Sequence, residues 1–357
     1  MPLQLLDKWK PSIEAVTASP GVVVVVGTAD VGKTSFCTLL ANHAFEAGIP
    51  TAIVDGDMGQ SEIGPPTTIS LGLVESPIQA MSDLKPRSMY FVGSTSPVGH
   101  LLETAVGAKK MVEKAASSGS RLVITDTTGL VAGAMGRRLK THKIELLAPR
   151  HIITLQRSDE AEHFLRFFDT WADSTIHRLP VSPSARPKSQ AFRTQRRAVR
   201  FQEYFREGRA QQLPLEGLAT SGTWLHTANP MEQRLLKFAE NALKTAVLHG
   251  ERIDRGAFFI TSGEPNKRGI EELQEQFHTK NIVIIPANRY LNLVVGLLDN
   301  HMEVLSLGIV REIDFKAQVV TLFTPLRSLA PVKSLRFGVV KVRPDGAQVG
   351  RLRPGDV

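Results

Sequence analysis

The sequence contains little cysteine and few aromatic residues. Of 357 residues, one is cysteine (Cys37) and 6% are aromatic. A single cysteine excludes an internal disulfide framework and is typical of a reducing compartment. No apolar run approaches the roughly 18 residues of a membrane-spanning helix. Residues 1–20 carry charges where a signal peptide would be apolar. We therefore expect a cytoplasmic protein with no membrane span.

Internal repeats and low-complexity tracts are also absent. The composition, 42% hydrophobic and 22% charged, is ordinary for a globular protein. A chain of 357 residues can bury a sizeable core and is long enough for more than one domain.

The positive charge is concentrated in one segment. The whole chain has a formal net charge of +8. Residues 137–209 contain 16 Lys and Arg against 8 Asp and Glu, a balance of +8, so the remainder is neutral. Such a concentration indicates a polyanionic partner, such as nucleic acid or nucleotide phosphates, or else an exposed basic helix face. Charge alone does not decide between these two interpretations.

Short apolar runs alternate with helical patterns through the first part of the chain. Strands are predicted over 21–26, 51–55, 89–92, 121–126 and 151–155, and helices over 3–17, 33–47, 99–117 and 135–147. This alternation is typical of a mostly parallel sheet with helices on both faces. We predict an α/β domain of the P-loop NTPase type over residues 1–240, containing a lid at 181–209.

The pattern changes after residue 240. Five short runs read as strands separated by turns, at 257–260, 282–285, 305–309, 319–323 and 337–342, and a helix is predicted over 268–278. We predict a smaller β-rich domain over residues 241–357.

A complete phosphate-binding motif follows the first predicted strand. Residues 27–34 match G-x-x-x-x-G-K-[ST] and lead into a predicted helix, which is the context this motif requires. Glycines allow the backbone to curl around phosphate oxygens, and the helix N-terminus presents a positive potential. We expect Lys33 to reach the β- and γ-phosphates and Thr34 to bind Mg²⁺. The predicted nucleotide-binding residues of the loop are Gly27, Thr28, Ala29, Asp30, Val31, Gly32, Lys33, Thr34 and Ser35.

Carboxylates follow two of the buried strands. Asp55 and Asp57 lie at the end of the second strand, where a parallel sheet places side chains beside the P-loop. One could hold Mg²⁺ and the other could accept a proton from an attacking hydroxyl, or both could be turn residues. Asp126, at the end of the strand 121–126, is a further candidate metal ligand of the Walker B type.

A GTPase is a weaker interpretation. Asp126-x-x-Gly129 is similar to a γ-phosphate switch, and Asn266-Lys-Arg-Gly269 superficially resembles the guanine-reading N-K-x-D motif. Gly269 stands where a carboxylate would accept the guanine N–H groups. The segment also lies outside the predicted α/β domain, so guanine recognition is not expected there.

The basic segment contains an arginine-rich helix. Arg193, Arg197 and Arg200 are spaced i, i+4 and i+7 and share one helix face, with Arg196 beside them. A mobile lid of this kind could stabilise the charge that develops on a transferring phosphoryl group. The alternative is a solvated basic helix.

Together these residues resemble the polynucleotide 5′-hydroxyl kinase family, which includes the pre-mRNA cleavage-complex and ribosomal-RNA-processing kinases. The P-loop, the tract Asp55-Gly-Asp57-Met-Gly-Gln60, and the arginine helix followed by Glu203-Tyr204-Phe205 carry the likeness, which is closest to short prokaryotic members. Thr127-Thr-Gly129-Leu130 is similar to the family's T-x-G-W clasp for the Walker lysine, although Leu130 replaces the tryptophan. The tract 64–71 resembles the substrate-side loop.

The resemblance implies a function and a set of roles. It implies transfer of the ATP γ-phosphoryl group, with Mg²⁺, to the 5′-hydroxyl end of RNA or DNA. Asp57 would activate the hydroxyl, and Lys33, Arg193, Arg197 and Arg200 would complete the catalytic set. The other implied roles are nucleotide binding by Thr127 and Gly129, metal binding by Thr34, Asp55 and Asp57, and substrate binding by Gln60, Thr67 and Thr68.

Other functions remain open from the residues alone. The main alternative is a P-loop ATPase or GTPase switch without kinase chemistry. The basic lid region disfavours it, since a switch seldom needs a cationic substrate channel. A small-molecule kinase and an inactive nucleotide-binding scaffold are further alternatives.

Overall fold

The computed structural model describes residues 6–357. It divides into two compact units, one ending at Arg200 and the other comprising Phe201–Val357. The predicted first helix corresponds to a 3₁₀ turn at Asp7–Trp9 followed by an α-helix, Lys10–Ala18. Residues 3–5 of that prediction lie outside the described residues.

The first unit alternates strands and helices. Its helices are α1 Lys10–Ala18, α2 Lys33–Glu46, α3 Leu101–Ser117, α4 Gly133–Leu147 and α5 Glu162–Leu165. Its strands are β1 Val22–Val26, β2 Thr51–Gly56, β3 Thr68–Val74, β4 Ser88–Phe91, β5 Leu122–Thr127, β6 His151–Gln156 and β7 Thr175–Pro180. A further helix, α6 Gln190–Phe205, begins in the first unit and ends in the second.

The sheet of the first unit has the order β4-β3-β2-β5-β1-β6-β7. Strands β2, β5, β1, β6 and β7 are parallel, and β3 and β4 pair antiparallel at one edge. Because β1 is a run of five valines, its side chains serve both faces of the sheet. Val23 and Val25 pack in a cluster with α1 and α2, and Val24 and Val26 in a cluster with α3, α4 and α5. The predicted fold class is confirmed.

Two strands of the first unit were missed by the sequence prediction. Strand β3 overlaps the tract 64–71. That tract was interpreted as a loop because it begins with Gly64, Pro65 and Pro66. Strand β7 is a polar and largely exposed edge strand, so it lacks the buried apolar run that marks the central strands.

The second unit is mostly β-structure, as predicted. Its strands are β8 Arg209–Pro214, β9 Ala219–Ser221, β10 Asn229–Pro230, β11 Val247–Ile253, β12 Gly256–Thr261, β13 Asn281–Pro286, β14 Leu293–Leu298, β15 Val304–Asp314, β16 Val319–Thr324, β17 Ser334–Val342 and β18 Gln348–Arg351. Its helices are α7 Gln233–Leu243 and α8 Lys267–Gln276. One sheet has the order β10-β11-β12-β13, and the other β18-β17-β14-β15-β16-β8 with β9 beside β17.

The division between the units differs from the predicted boundary at 240/241. It falls after Arg200, because β8 pairs antiparallel with β16 and β9 pairs with β17. The end of α6 belongs to the second unit, where Phe205 is buried against Phe323 and the Tyr204 hydroxyl donates to or accepts from Ser306. The short polar strands β8 and β9 gave no apolar signal that would have placed the boundary earlier.

Among residues 6–357, none of the helices combines the length and apolar composition that crossing a bilayer requires.

A chain of hydrogen bonds joins β6, β7 and α1. His151 Nε2 lies 2.9 Å from the Ser19 carbonyl, which can only accept, so His151 Nδ1 must accept from His177 Nε2 at 3.1 Å. His177 Nδ1 then accepts from the Ser12 hydroxyl at 3.0 Å. Both rings are neutral in this arrangement. Burial lowers the pKa of His151, and burial together with His151 lowers the pKa of His177 to about 4.

We expect the fold to lose stability in mild acid through this pair. The unfolded state takes up protons near the ordinary histidine pKa of about 6.5, and the folded state resists them until lower pH. The stabilisation is therefore complete above pH 6.5 and is lost as pH falls towards 4, by roughly 1–2 kcal/mol after allowance for the partly exposed His177. Urea unfolding at pH 7.5 and pH 5 should show a larger loss for the wild type than for His177→Gln. An equal loss in both proteins would contradict the assignment.

Candidate nucleotide-binding site

The P-loop connects the end of β1 to the start of α2. Gly27 has φ +150° and Gly32 has φ +91°, in the region that favours glycine. A Cβ on Gly27 would also lie 2.5 Å from the Leu155 carbonyl oxygen, so no side chain fits there. The first N–H groups of the 14-residue helix α2 are left for an anion.

Lys33 and Thr34 have different hydrogen-bond partners. Lys33 is 7% exposed, and its Nζ donates to the Thr28 carbonyl at 2.8 Å. The Thr34 hydroxyl donates to Asp126 Oδ2 at 2.7 Å. The ammonium group is thus held by the P-loop itself, and the hydroxyl is paired with a carboxylate of a neighbouring strand.

Asp126 faces Thr34 because β5 lies beside β1 in the sheet. Its Cα is the register partner of Val25, and its Oδ1 accepts from the Thr127 amide at 2.8 Å. Burial raises the pKa of Asp126, opposed by the nearby Lys33 ammonium and the Thr34 hydroxyl. An oxygen pair of this kind is a suitable partial ligand set for a hard cation such as Mg²⁺.

Asp55 has a different environment from the one expected. Its Oδ2 accepts from the Ser61 hydroxyl at 3.0 Å and from the Glu62 and Ile63 amides at 2.6 and 3.0 Å. Its Oδ1 accepts from the Asp57 amide at 3.2 Å. Burial raises its pKa to about 7, against the effect of these N–H donors. Asp55 therefore organises the loop 57–63, and it does not line the cavity described below.

Asp57 lies on the cavity wall. Its Oδ1 accepts from the Gly59 and Gln60 amides at 3.0 and 3.1 Å. Its Oδ2 has no hydrogen-bond partner among residues 6–357, which leaves it able to accept a proton from a bound hydroxyl. Gln60 also lines the cavity, and its Nε2 donates to the Gly59 carbonyl at 2.7 Å. The Gln60 Oε1 is buried and has no hydrogen-bond partner among residues 6–357.

Thr67 and Thr68, predicted to bind substrate, are fully buried. The Thr67 amide donates to the Met58 carbonyl at 2.9 Å, and its own carbonyl accepts from the Val92 and Gly93 amides. The Thr68 hydroxyl donates to the Pro65 carbonyl at 2.8 Å. Neither side chain lines the cavity, and both residues hold the loop that precedes β3.

The segment Thr127–Gly129 contacts both the P-loop and the strand β1 that precedes it. The Thr127 hydroxyl donates to the Val25 carbonyl at 2.8 Å. A Cβ on Gly129 would lie 2.7 Å from the Ala29 amide nitrogen, so the two backbones are in direct contact. Leu130, which replaces the family's tryptophan, is half-buried.

The arginines of α6 are held by acidic and carbonyl groups around the loop. Arg193 pairs with Asp30 of the P-loop, and Arg196 pairs with Glu62. Arg200 donates to the carbonyls of Glu62 and Gly64. Of the three arginines that the sequence placed on one helix face, Arg193 lines the cavity, whereas Arg197 and Arg200 do not. Arg196 lines the cavity beside Arg193.

Arg197 contacts its own helix. Its Nη2 donates to the Thr194 hydroxyl at 3.1 Å, and its Nε is buried without a partner among the described residues. Burial and the nearby Arg193 lower its pKa.

These groups enclose a cavity of about 220 Å³. That volume is below the range of about 300–1,000 Å³ usual for whole small-molecule ligands, so it suits phosphates rather than a complete nucleotide. The lining residues are Ala29, Asp30, Gly32, Lys33, Thr34, Ser35, Asp57, Gln60, Glu62, Asp126, Gly129, Ala185, Arg186, Lys188, Arg193 and Arg196.

Sequence reasoning missed two cations of this cavity, Arg186 and Lys188, and left Arg196 out of the predicted catalytic set. Arg186 and Lys188 lie in the segment before α6, and the Lys188 amide donates to Asp30 Oδ2 at 2.9 Å. Only the excess of basic residues in 137–209 pointed to them. Arg196 was noticed beside the arginine face, and an i, i+3 spacing from Arg193 is also compatible with one face. Five cations, including Lys33 and Arg193, thus surround a space next to the P-loop.

We expect Gly129→Ala to weaken nucleotide binding by about tenfold or more. The added methyl group would overlap the Ala29 backbone, so the P-loop would have to shift where its amides meet phosphate. Isothermal titration with ADP measures the effect. Gly350→Ala is a matched control, since its Cβ would make only ordinary contacts with Lys341 at 3.6 Å or more. Unchanged affinity in Gly129→Ala would show that this contact does not shape the loop.

Comparison with protein families finds one match. Residues 27–207 match the family described as mRNA cleavage and polyadenylation factor CLP1 P-loop. The match extends from the first glycine of the P-loop past the end of α6, so it includes every lining residue of the cavity.

Similar proteins extend the comparison to nearly the whole chain. A polyribonucleotide 5′-hydroxyl-kinase of Pyrococcus abyssi is 33% identical over 334 residues, covering 93% of this chain and 91% of its own. One of Methanocaldococcus jannaschii is 31% identical over 335 residues, covering 93% and 90%. A CLP1 homologue of Anopheles gambiae is 30% identical over 212 residues, covering 56% and 49%.

Among solved structures, the fold is similar to that in the wild-type Clp1p–Pcf11p (454–563) complex. The TM-score is 0.61 at 14% sequence identity, covering 92% of this chain and 77% of that one. At this identity the likeness shows a shared fold.

Proposed function

This chain belongs to the CLP1 P-loop family, and we propose that it is an ATP-dependent kinase for the 5′-hydroxyl ends of polynucleotides. The observation that carries the proposal is the position of Asp57. Asp57 lines the same cavity as Lys33 and the lid residues Arg193 and Arg196, and its Oδ2 has no hydrogen-bond partner in the described residues. A proton acceptor, a phosphate loop and a cationic lid are groups that enzymes use for phosphoryl transfer to a hydroxyl.

The triphosphate is expected to lie on the P-loop amides. Lys33 needs only to leave the Thr28 carbonyl to contact the terminal phosphates. Ala29 and Gly129 line the cavity with their backbones in contact, and Thr127 holds this segment to β1 through the Val25 carbonyl. Because the cavity is small, the nucleoside is expected to extend beyond it.

The residues also fit a magnesium ion. The candidate ligands are the Thr34 hydroxyl and Asp126, which lie 2.7 Å apart on the cavity wall. No group of three His, Cys, Asp or Glu side chains placed to hold a metal occurs in residues 6–357. This suits Mg²⁺, which usually binds one or two protein oxygens together with substrate phosphates and water. When bound, Mg²⁺ neutralises charge on the phosphate oxygens.

The chain's own groups then have distinct roles. Asp57 Oδ2 accepts the proton of the 5′-hydroxyl, while the Gly59 and Gln60 amides fix the carboxylate through Oδ1. Arg193 and Arg196 stabilise negative charge on the transferring group. Both are paired with carboxylates of the cavity, Asp30 and Glu62, so their positions are set before the substrate enters. Asp55 keeps the loop that carries Asp57 in place.

RNA is the favoured acceptor. Relatives that align with 93–94% of this chain carry the name polyribonucleotide 5′-hydroxyl-kinase. The excess positive charge of residues 137–209 supports a long anionic substrate rather than a small metabolite.

The direct test is transfer of label from γ-labelled ATP to oligonucleotides. RNA and DNA oligomers with a 5′-hydroxyl are compared with the same oligomers already carrying a 5′-phosphate. Label is expected on the 5′-hydroxyl strands only, with RNA the better acceptor. ATP hydrolysis without label on any strand would favour a P-loop ATPase switch and overturn the proposal.

The lid arginines are expected to contribute to oligonucleotide affinity. Each lost phosphate contact should reduce the slope of log affinity against log salt by about 0.7 for a single strand. Arg193→Gln with Arg196→Gln should therefore weaken binding and flatten the slope by up to about 1.4. Lys267→Gln with Lys316→Gln removes equal charge from the second unit and serves as control. An identical slope in all three proteins would argue against the lid as a binding surface.

A further inference from the structure

Helix α4 carries two lysines that are completely buried, Lys140 and Lys143. Their i, i+3 spacing places both on one face of the helix. A lysine is rarely buried without a carboxylate partner, because its charged form is costly away from water. No salt bridge to either residue is present in the described part of the chain. The proposed mechanism uses neither side chain.

Lys140 makes two short hydrogen bonds at the end of β5. Its Nζ donates to the Thr127 hydroxyl at 2.7 Å and to the Thr128 carbonyl at 2.6 Å. Burial, and then the neighbouring Lys143, lower its pKa well below the usual range. Lys143 Nζ, by contrast, has no hydrogen-bond partner among residues 6–357.

The two residues that Lys140 holds are connected to the nucleotide site on both sides. Thr127 follows Asp126 directly and donates its hydroxyl proton to the Val25 carbonyl of β1. Thr128 precedes Gly129, whose backbone touches Ala29 of the P-loop. Lys140 therefore bonds directly to the segment whose backbone touches the P-loop. Its partner Thr127 is also the residue that follows the candidate metal ligand Asp126.

We propose that Lys140 is a positioning residue that holds the segment Thr127–Gly129 against the P-loop, so that the loop keeps its phosphate-binding shape. The inference rests on the proposed function only in requiring that the P-loop bind a nucleotide. It assigns Lys140 no contact with substrate.

The test compares Lys140→Met with Lys143→Met. Both remove one fully buried amine from the same face of α4, but only the first breaks bonds to the segment Thr127–Gly129. Equilibrium binding of ADP with Mg²⁺ and thermal unfolding without nucleotide are measured for each full-length protein. The loss of two hydrogen bonds in Lys140→Met is expected to weaken ADP binding by about tenfold. Lys143→Met is expected to remain within about twofold of the wild type.

A second arm separates positioning from a general loss of stability. Thr127→Val removes one acceptor of Lys140 with little change in shape. If Lys140 acts through this segment, the double variant should bind ADP more tightly than the product of the two single losses predicts. If Lys140→Met does not fold, Lys140→Leu, which also lacks a donor and has a shorter side chain, takes its place in both comparisons.

The outcomes distinguish this inference from the proposed function. ADP binding by the wild type without transfer to any oligonucleotide overturns the kinase proposal and leaves the Lys140 comparison valid. Wild-type affinity in the Lys140 variant, an equal loss in Lys143→Met, or strictly additive losses with Thr127→Val overturn the inference. Failure of the wild type to bind ADP overturns both.

Discussion

Lys33→Ala is expected to abolish phosphoryl transfer while leaving the protein folded. Removal of a preorganised electrostatic group from an active site typically costs about 10²–10³-fold in rate, and we propose that Lys33 acts on the terminal phosphates in both ground and transition states. Its only hydrogen-bond acceptor within residues 6–357 is the Thr28 carbonyl, so truncation breaks a single hydrogen bond. It also removes the ammonium group that lowers the pKa of Asp126, and the pKa of that carboxyl should rise further. Alanine is also favourable in the first turn of α2.

The measurement is single-turnover transfer from γ-labelled ATP to a 5′-hydroxyl RNA oligomer. Lys109→Ala is the matched control, because Lys109 is a helical lysine that forms an exposed i, i+4 pair with Glu113. Circular dichroism and the unfolding midpoint show whether each variant is folded. A folded Lys33→Ala protein that turns over at the wild-type rate would remove the P-loop from the reaction.

Asp57→Asn is expected to reduce the chemical step by about 10²–10⁴-fold, the usual contribution of a general base. Asparagine retains an oxygen for the Gly59 and Gln60 amides but cannot accept the hydroxyl proton. ADP affinity should change little. The dissociative character of phosphoryl transfer favours the lower end of the range, since proton removal is not far advanced in the transition state.

Asp55→Asn provides the comparison. An amide oxygen can still accept from Ser61, Glu62 and Ile63, but the amide nitrogen then faces the N–H of Asp57. The expected result is a loss of about 1–3 kcal/mol in stability, as for an unsatisfied buried donor, with a smaller loss in the chemical step than for Asp57→Asn. Excess Mg²⁺ or Mn²⁺ should not restore activity.

Single-turnover kinetics at saturating ATP and oligonucleotide separate the two aspartates. Rescue of Asp55→Asn by Mn²⁺ would return Asp55 to the set of metal ligands that the sequence suggested. A larger chemical loss in Asp55→Asn than in Asp57→Asn would exchange the two roles.

Some site residues could be identified from the sequence because they act within a short stretch of chain. The eight residues 27–34 form the P-loop by local backbone geometry, with Gly27 and Gly32 at positions that tolerate little else. The run of valines in β1 likewise predicts a central strand, because a side chain on each face must be apolar when both faces are covered. Asp57 was recognisable from its place at the end of β2.

Other residues depend on which strands and helices become neighbours. Asp126 meets Thr34 because β5 lies between β2 and β1, an order that the chain does not state. Asp55, like Asp126, is an aspartate at the end of a central strand. The amides of Glu62 and Ile63 donate to its carboxylate, so it holds the loop 57–63 in place and does not line the cavity. Helical spacing placed the arginines on one face, but the positions of Asp30 and Glu62 decided that Arg196, not Arg197, reaches the cavity.

The sequence by itself determined the fold class, the phosphate loop and the family, because each depends on consecutive residues or on a repeating pattern of apolar positions. Tertiary structure alone decided the partners of Asp55, Asp126 and Lys140. A charged residue's role depends on burial and on which donors and acceptors surround it, and these come from distant parts of the chain. Lys140 is the clearest case: nothing in its own segment of sequence singled it out, and only the tertiary structure buries its amine beside Thr127.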